Sequence, residues 1–122
     1  MFPTRRMRRL RRTSRLRDMV AETRLTVDDL IYPIFIDENL TSKQPIPTMP
    51  GQYRLAPGDV RAEARELVKL GIPAVILFGI PKTKDAVGSS AFDENGVIQN
   101  VIREIKDEVG DELVVITDVC MC

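Results

Sequence analysis

The only two cysteines of this 122-residue chain stand in the segment Asp118-Val119-Cys120-Met121-Cys122, at the end of an apolar, strand-like run. Successive side chains of an extended backbone alternate between faces, so Asp118, Cys120 and Cys122 would share one face with Val114 and Ile116. A carboxylate and two thiols would then converge at one strand end. Zinc takes thiolate sulfur at about 2.3 Å and usually needs three or more protein ligands. The cysteines would supply two of them, Asp118 would be a ligand or a nearby proton acceptor, and any missing ligand would come from elsewhere. The plain alternative is that Cys120 and Met121 fill a core, since free cysteine is among the most buried residue types.

Other chemistry is poorly supplied. The chain has no histidine, which removes Ser-His-Asp and Cys-His machinery of its own. No GxGxxG follows the first apolar run, so a dinucleotide site is not expected. The loop holding Lys82, Thr83, Lys84, Gly88, Ser89 and Ser90 could cradle a phosphate or carboxylate, but it lacks P-loop spacing and reads as an ordinary polar loop.

Charge is divided along the chain although it sums to zero. Residues 1–17 carry eight arginines and no acid, which leaves ten cationic against 18 acidic side chains in the remainder. Such a basic arm could bind phosphates, and a self-contained module gripping nucleic acid is the alternative reading of the whole chain. Against it, no aromatic residue lies between Phe2 and Tyr32 to stack on bases, and no helix-turn-helix or zinc-finger spacing is present. An arm laid on the acidic surface of a neighbouring subunit is the preferred reading, with a solvated tail as the simplest one. No nucleic acid partner is expected. No run of about 18 apolar residues exists, so no membrane span is expected either. The arginines precede no signal-peptide core, although an Arg-rich, acid-poor start also describes transit peptides. Two cysteines spaced C-x-C make a poor disulfide pair, so a reducing, cytoplasmic setting is expected.

The elements that must position these residues follow from periodicity. A basic arm with a short helix over 14–24 occupies residues 1–28. Leu30–Ile36 reads as the first strand, with Pro33 calling for a bulge or an unpaired side. Residues 41–58, with four prolines and two glycines, are expected as an irregular loop. From Asp59 a helix places Val60, Ala64, Leu67 and Val68 on one face and stops at Gly71. Ala74–Phe78 is a strand covered on both sides. Val97, Val101, Ile105 and Val109 mark the next helix, closed by Gly110, and Leu113–Ile116 is the third strand. This alternation implies α/β architecture with parallel βαβ units. The strand spacing fits part of a (β/α)8 barrel, while an open doubly wound sheet would alternate in the same way. Residues 29–122 would be the first three strands and two helices of such an incomplete barrel.

Five segments in combination carry a specific resemblance. They are Arg15-Leu16-Arg17-Asp18 with the arm, the run Leu30–Phe35, Ile46-Pro47-Thr48-Met49-Pro50-Gly51, Leu77-Phe78-Gly79-Ile80-Pro81, and Thr117-Asp118-Val119-Cys120-Met121-Cys122. Over essentially its whole length the chain resembles the amino-terminal portion of the porphobilinogen synthase (5-aminolevulinate dehydratase) family. The resemblance implies a (β/α)8 (TIM) barrel and a lyase that condenses two molecules of 5-aminolevulinate to porphobilinogen in tetrapyrrole (heme) biosynthesis. It also implies a homo-oligomer, typically an octamer, in which the arm embraces a neighbouring subunit. In the zinc-using branch three cysteines hold a catalytic zinc. Cys120 and Cys122 match the first two, and Asp118 matches an active-site aspartate beside the metal. The third cysteine, the two lysines that form Schiff bases with the substrate ketones and the groups that hold the substrate carboxylates come later in the family's chains. Lys82 and Lys84 do not match those lysines. The 122 residues alone are therefore expected to be inactive.

Overall fold

Two long helices lie against one face of a mostly parallel sheet because alternate residues of its strands are large and aliphatic. The computed structural model describes residues 2–5 and 7–119. Its helices are α1 Ser14–Met19, α2 Val60–Lys69, α3 Ser89–Phe92 and α4 Val97–Val109, and its strands are β1 Ile31–Asp37, β2 Gln44–Pro45, β3 Tyr53–Leu55, β4 Ala74–Ile80 and β5 Val114–Thr117. The sheet order is β2-β3-β1-β4-β5. β1 pairs with β4 in parallel from Ile31↔Ala74 to Asp37↔Ile80, and β4 with β5 from Ala74↔Val114 to Leu77↔Thr117. β1, β4 and β5 thus advance in one direction across the sheet, with α2 and α4 as the crossovers that parallel neighbours require.

One face of the sheet makes the core. Ile34, Ile36, Val75 and Leu77 are buried against Val60, Ala64 and Leu67 of α2 and Val101 and Ile105 of α4. The α2 face ends as its sequence dictates. Gly71 adopts φ +75°, its N–H donates to the Val68 carbonyl at 3.0 Å, and the Ile72 N–H donates to the Leu67 carbonyl at 3.0 Å. That pair of bonds is a Schellman cap, which needs a left-handed residue at this point. The outer faces of the two helices are joined by ion pairs. Arg61 contacts Glu104, Arg61 Nη1 lies 3.3 Å from Glu108 Oε2, and Arg65 Nη1 lies 2.5 Å from Glu108 Oε1.

Two local expectations are corrected, and at Pro33 the structure selects the second of two alternatives, the unpaired side. The segment 41–58 is not wholly irregular: β3 joins β1 in parallel through Phe35↔Arg54 and Ile36↔Leu55, and β2 joins β3 antiparallel. Among the described residues the sheet therefore has five strands where three are expected. The prolines sit in the tight connection between them, whose backbone is satisfied by Met49 N–H to the Ile46 carbonyl and Gln52 N–H to the Met49 carbonyl, both at 3.0 Å. The first helix ends at Met19, not at 24, because none of its residues is buried to sustain it. Pro33 makes no bulge. Its pairing with Ile76 lies within an unbroken ladder, while on the other edge β3 reaches only Phe35 and Ile36, which leaves Pro33 a side with no strand beside it among the described residues.

Of the described residues from Phe2 to Leu30, Leu16 alone is not exposed. Thr13 caps α1, its Oγ1 accepting from Leu16 N–H at 3.2 Å. At the junction with β1, Asp29 Oδ2 accepts from the Thr26 N–H at 2.7 Å and the Thr26 hydroxyl at 3.0 Å, and these bonds hold the Asp29 carboxyl below the usual range. Among the described residues no helix is long and apolar enough to cross a membrane.

Candidate active site

The sheet face opposite the helices carries Phe35 and Asp37 from β1, Phe78 and Ile80 from β4, and Val114 and Ile116 from β5, since these alternate with the core residues. Phe35 and Phe78 are register partners, and their rings stack with centroids 5.3 Å apart and planes inclined by 18°. Asp118 follows Thr117, the last paired residue of β5, which faces Leu77. One further step in that register brings Asp118 level with Phe78. The carboxyl ends of β1, β4 and β5 therefore present an aromatic floor with a carboxylate at each flank. Parallel sheets bind ligands at this end.

The two carboxylates differ in environment. Asp118 is exposed, whereas Asp37 is buried at 9% exposure and is the one buried charged residue of the described chain. Asp37 Oδ1 accepts from the Asn39 amide side chain at 2.9 Å and the Asn39 N–H at 3.0 Å. These bonds, aided by the positive charge of Arg54, hold the Asp37 carboxyl below its ordinary range. The next residue ties the loops together: Glu38 Oε2 accepts from the Lys82 N–H at 2.9 Å. The Lys82–Ser90 loop is no anion cradle. Asp85 Oδ1 already takes the N–H groups of Val87 at 3.1 Å and Ser89 at 3.0 Å, so an incoming anion would meet a carboxylate. Hydrogen bonds from Ser89 keep the Asp85 carboxyl ionised below its usual range.

On the helix side, Gly79 explains how β4 is brought so close to α4. A Cβ at this position would lie 2.7 Å from Ile98 Cγ1 and 3.0 Å from Val97 Cγ1. Only glycine allows this approach, and it fixes Phe78 and Ile80 on the opposite face. A cavity of about 160 Å³ lies on the helix side, bounded by Tyr32, Lys43, Tyr53 and Glu63.

A family model for delta-aminolevulinic acid dehydratase matches residues 4–122. The chain belongs to this family. It is 51% identical over 121 residues to a delta-aminolevulinic acid dehydratase of Methanothermus sociabilis, covering 99% of this chain and 37% of that protein. It is 52% identical over 117 residues to the Halalkalibacterium halodurans dehydratase, covering 96% of this chain and 35% of the relative. A crystal structure of delta-aminolevulinic acid dehydratase (porphobilinogen synthase) from Toxoplasma gondii ME49, in complex with the reaction product porphobilinogen, superposes with a TM-score of 0.84 at 30% identity and covers 99% of this chain and 35% of that one. The chain thus spans about a third of the length of these dehydratases.

Of the residues singled out by sequence, Asp118 stands at the carboxyl end of β5, and Cys120 and Cys122 lie outside the described residues. Among the described residues no group of three or more His, Cys, Asp or Glu side chains could hold a metal. A donor set of one carboxylate and two thiols suits zinc in chemical type but falls short of four ligands. Sequence reasoning passed over Asp37, Arg54 and the Phe35–Phe78 pair. Phe35 and Asp37 were within reach, because period-two alternation along Leu30–Asp37 places both on the face away from Ile34 and Ile36. Arg54 was not, because β3 was read as loop.

Proposed function

We propose that this chain is the arm and first three barrel strands of a zinc-type porphobilinogen synthase, the lyase that condenses two molecules of 5-aminolevulinate. The family membership supports the reaction, and the observation carrying the site is Asp118 at the carboxyl end of β5, beside the register positions of Phe35 and Phe78. β1, β4 and β5 would be the first three strands of a (β/α)8 barrel, with Phe35 and Phe78 facing its interior.

Cys120 and Cys122 would hold the zinc with a third ligand from outside these residues, and bound zinc would supply Lewis acidity toward a carbonyl or a water. Asp118 would orient an amine or accept its proton if hydrogen-bond distance is met. The stacked rings would exclude water from beneath the reacting groups. The arm, exposed at every described residue from 2 to 29 except Leu16 and bearing Met19 at 80% and Leu25 at 77% exposure, would cover a neighbouring subunit of a homo-oligomer, an octamer on the family's pattern. A cytoplasmic setting agrees with reduced thiols.

The test is a chimera in which this chain replaces the segment it matches in the Methanothermus sociabilis dehydratase. It should form porphobilinogen from 5-aminolevulinate, read as a coloured adduct with an aldehyde reagent, while the 122 residues alone should not. Absence of product from a folded chimera would refute the assignment.

A further inference from the structure

β1 and β4 run in register as far as Asp37↔Ile80, so the next step sets Glu38 beside Pro81. A regular parallel ladder would make a pair of bonds there, from the Glu38 N–H to the Ile80 carbonyl and from the Lys82 N–H to the Glu38 carbonyl. The first is present at 2.9 Å. The second is replaced, because the Lys82 N–H donates at 2.9 Å to Glu38 Oε2, a side-chain oxygen. Its cause lies in the turn that begins here, closed by the Leu40 N–H on the Asp37 carbonyl at 3.1 Å, which bends the Glu38 backbone away from the ladder. Pro81 has no N–H to hold the point from its own side. A half-buried glutamate spans the opening instead.

The bonded atoms flank the end of β4. Ile80 and Lys82 follow Phe78, whose ring is stacked on Phe35 in the floor of the candidate site. Beyond Lys82 the loop is ordered by Asp85, which accepts from the Val87 and Ser89 N–H groups. We propose that Glu38 is a positioning residue of this site: its carboxylate stands in for a rung of the sheet and thereby sets Phe78 and the root of the Lys82–Ser90 loop against β1. The proposal rests on the porphobilinogen synthase reading for the reaction that this rim serves. Glu38 acts through Phe78 and the loop, not on the substrate.

The experiment compares the chimera with its E38A and E38Q variants, well below their melting midpoints. E38A should lower kcat about tenfold with KM within about threefold, the pattern expected when bound substrate loses its alignment. E38Q should recover most of that rate, because the donor is a neutral N–H and an amide oxygen accepts from it as a carboxylate does. Hydrogen exchange reads the contact directly. The Lys82 amide should exchange about tenfold or more faster in E38A and near the parent rate in E38Q, with the Leu77 amide unchanged in both. An unchanged kcat in E38A, an equal loss in E38Q, or faster exchange throughout β1 and β4 would overturn the proposal, the last by making Glu38 a source of stability alone. If the unsubstituted chimera is folded but forms no porphobilinogen, the lyase reading fails separately. Exchange then decides: acceleration confined to the Lys82–Ser90 loop in E38A supports the positioning role, and an unchanged Lys82 amide refutes it.

Discussion

Phe35 and Phe78 face each other across β1 and β4, stacked at 5.3 Å between centroids on the sheet side that the helices leave uncovered. Both are half-buried, so the pair joins sheet stability to the floor of the candidate site. Phe78→Ala in the chimera should lower the unfolding free energy by about 2 kcal/mol, less than full burial would give. Phe78→Leu, which keeps bulk and loses the ring, should lower it by about 1 kcal/mol. Urea denaturation followed by circular dichroism measures both, and equal stability of all three proteins would deny the stack any energetic role.

Gly79 is held by shape. Gly79→Ala drives a methyl into Ile98 and Val97, an overpacking expected to lower stability by about 1–3 kcal/mol. Adding Ile98→Ala should return part of that loss, so the double-mutant cycle should have a coupling energy well away from zero. Strict additivity would contradict the contact.

Acid should loosen the α2–α4 seam. The guanidinium of Arg65, then that of Arg61, lowers the Glu108 carboxyl below its ordinary value. A carboxylate depressed in the folded state contributes stability that is fully present above the unfolded value of about 4.3 and lost as pH falls through the lower folded value. The melting midpoint should therefore be insensitive to this group from pH 5 to 8 and decline below about pH 4. Glu108→Gln should flatten the acid limb, and high salt should weaken the contribution of the pair. An acid limb identical in the variant would assign the effect to other carboxylates.

The cysteines are expected to bind metal. In the chimera, Cys120→Ala or Cys122→Ala should release zinc to a chromophoric chelator and abolish metal-dependent activity, and cobalt substituted into the parent should give the intense visible absorption of thiolate ligation. Full activity in either variant would count decisively against the zinc role.

The isolated chain should behave poorly. Ile31 and Val114, at 54% and 56% exposure, lie on apolar strands with one face open, a template for association. A broad melt and aggregation in sedimentation are expected, and neither duplex nor single-stranded nucleic acid should be retained at low salt. A sharply melting monomer, or salt-sensitive nucleic-acid binding, would favour the binding-module reading instead.

The sequence by itself determined the order of strands and helices, the helix stops at Gly71 and Gly110, and Asp118 as the carboxylate at the third strand's end. These are local properties: the period of apolar residues, the left-handed freedom of glycine and the alternation of an extended chain act within a few residues. Only the tertiary structure decided which edges pair. The two short strands in 41–58 exist because β1 offers Phe35 and Ile36 as partners, and no window of a proline-rich segment contains that information. The same pairing brings Arg54 to the face of Asp37. The need for glycine at 79 likewise arises from Ile98, nineteen residues away in the chain and in contact only when α4 lies on β4. Long-range register and close approach are set by the packing of whole elements, so they become visible only when those elements are assembled.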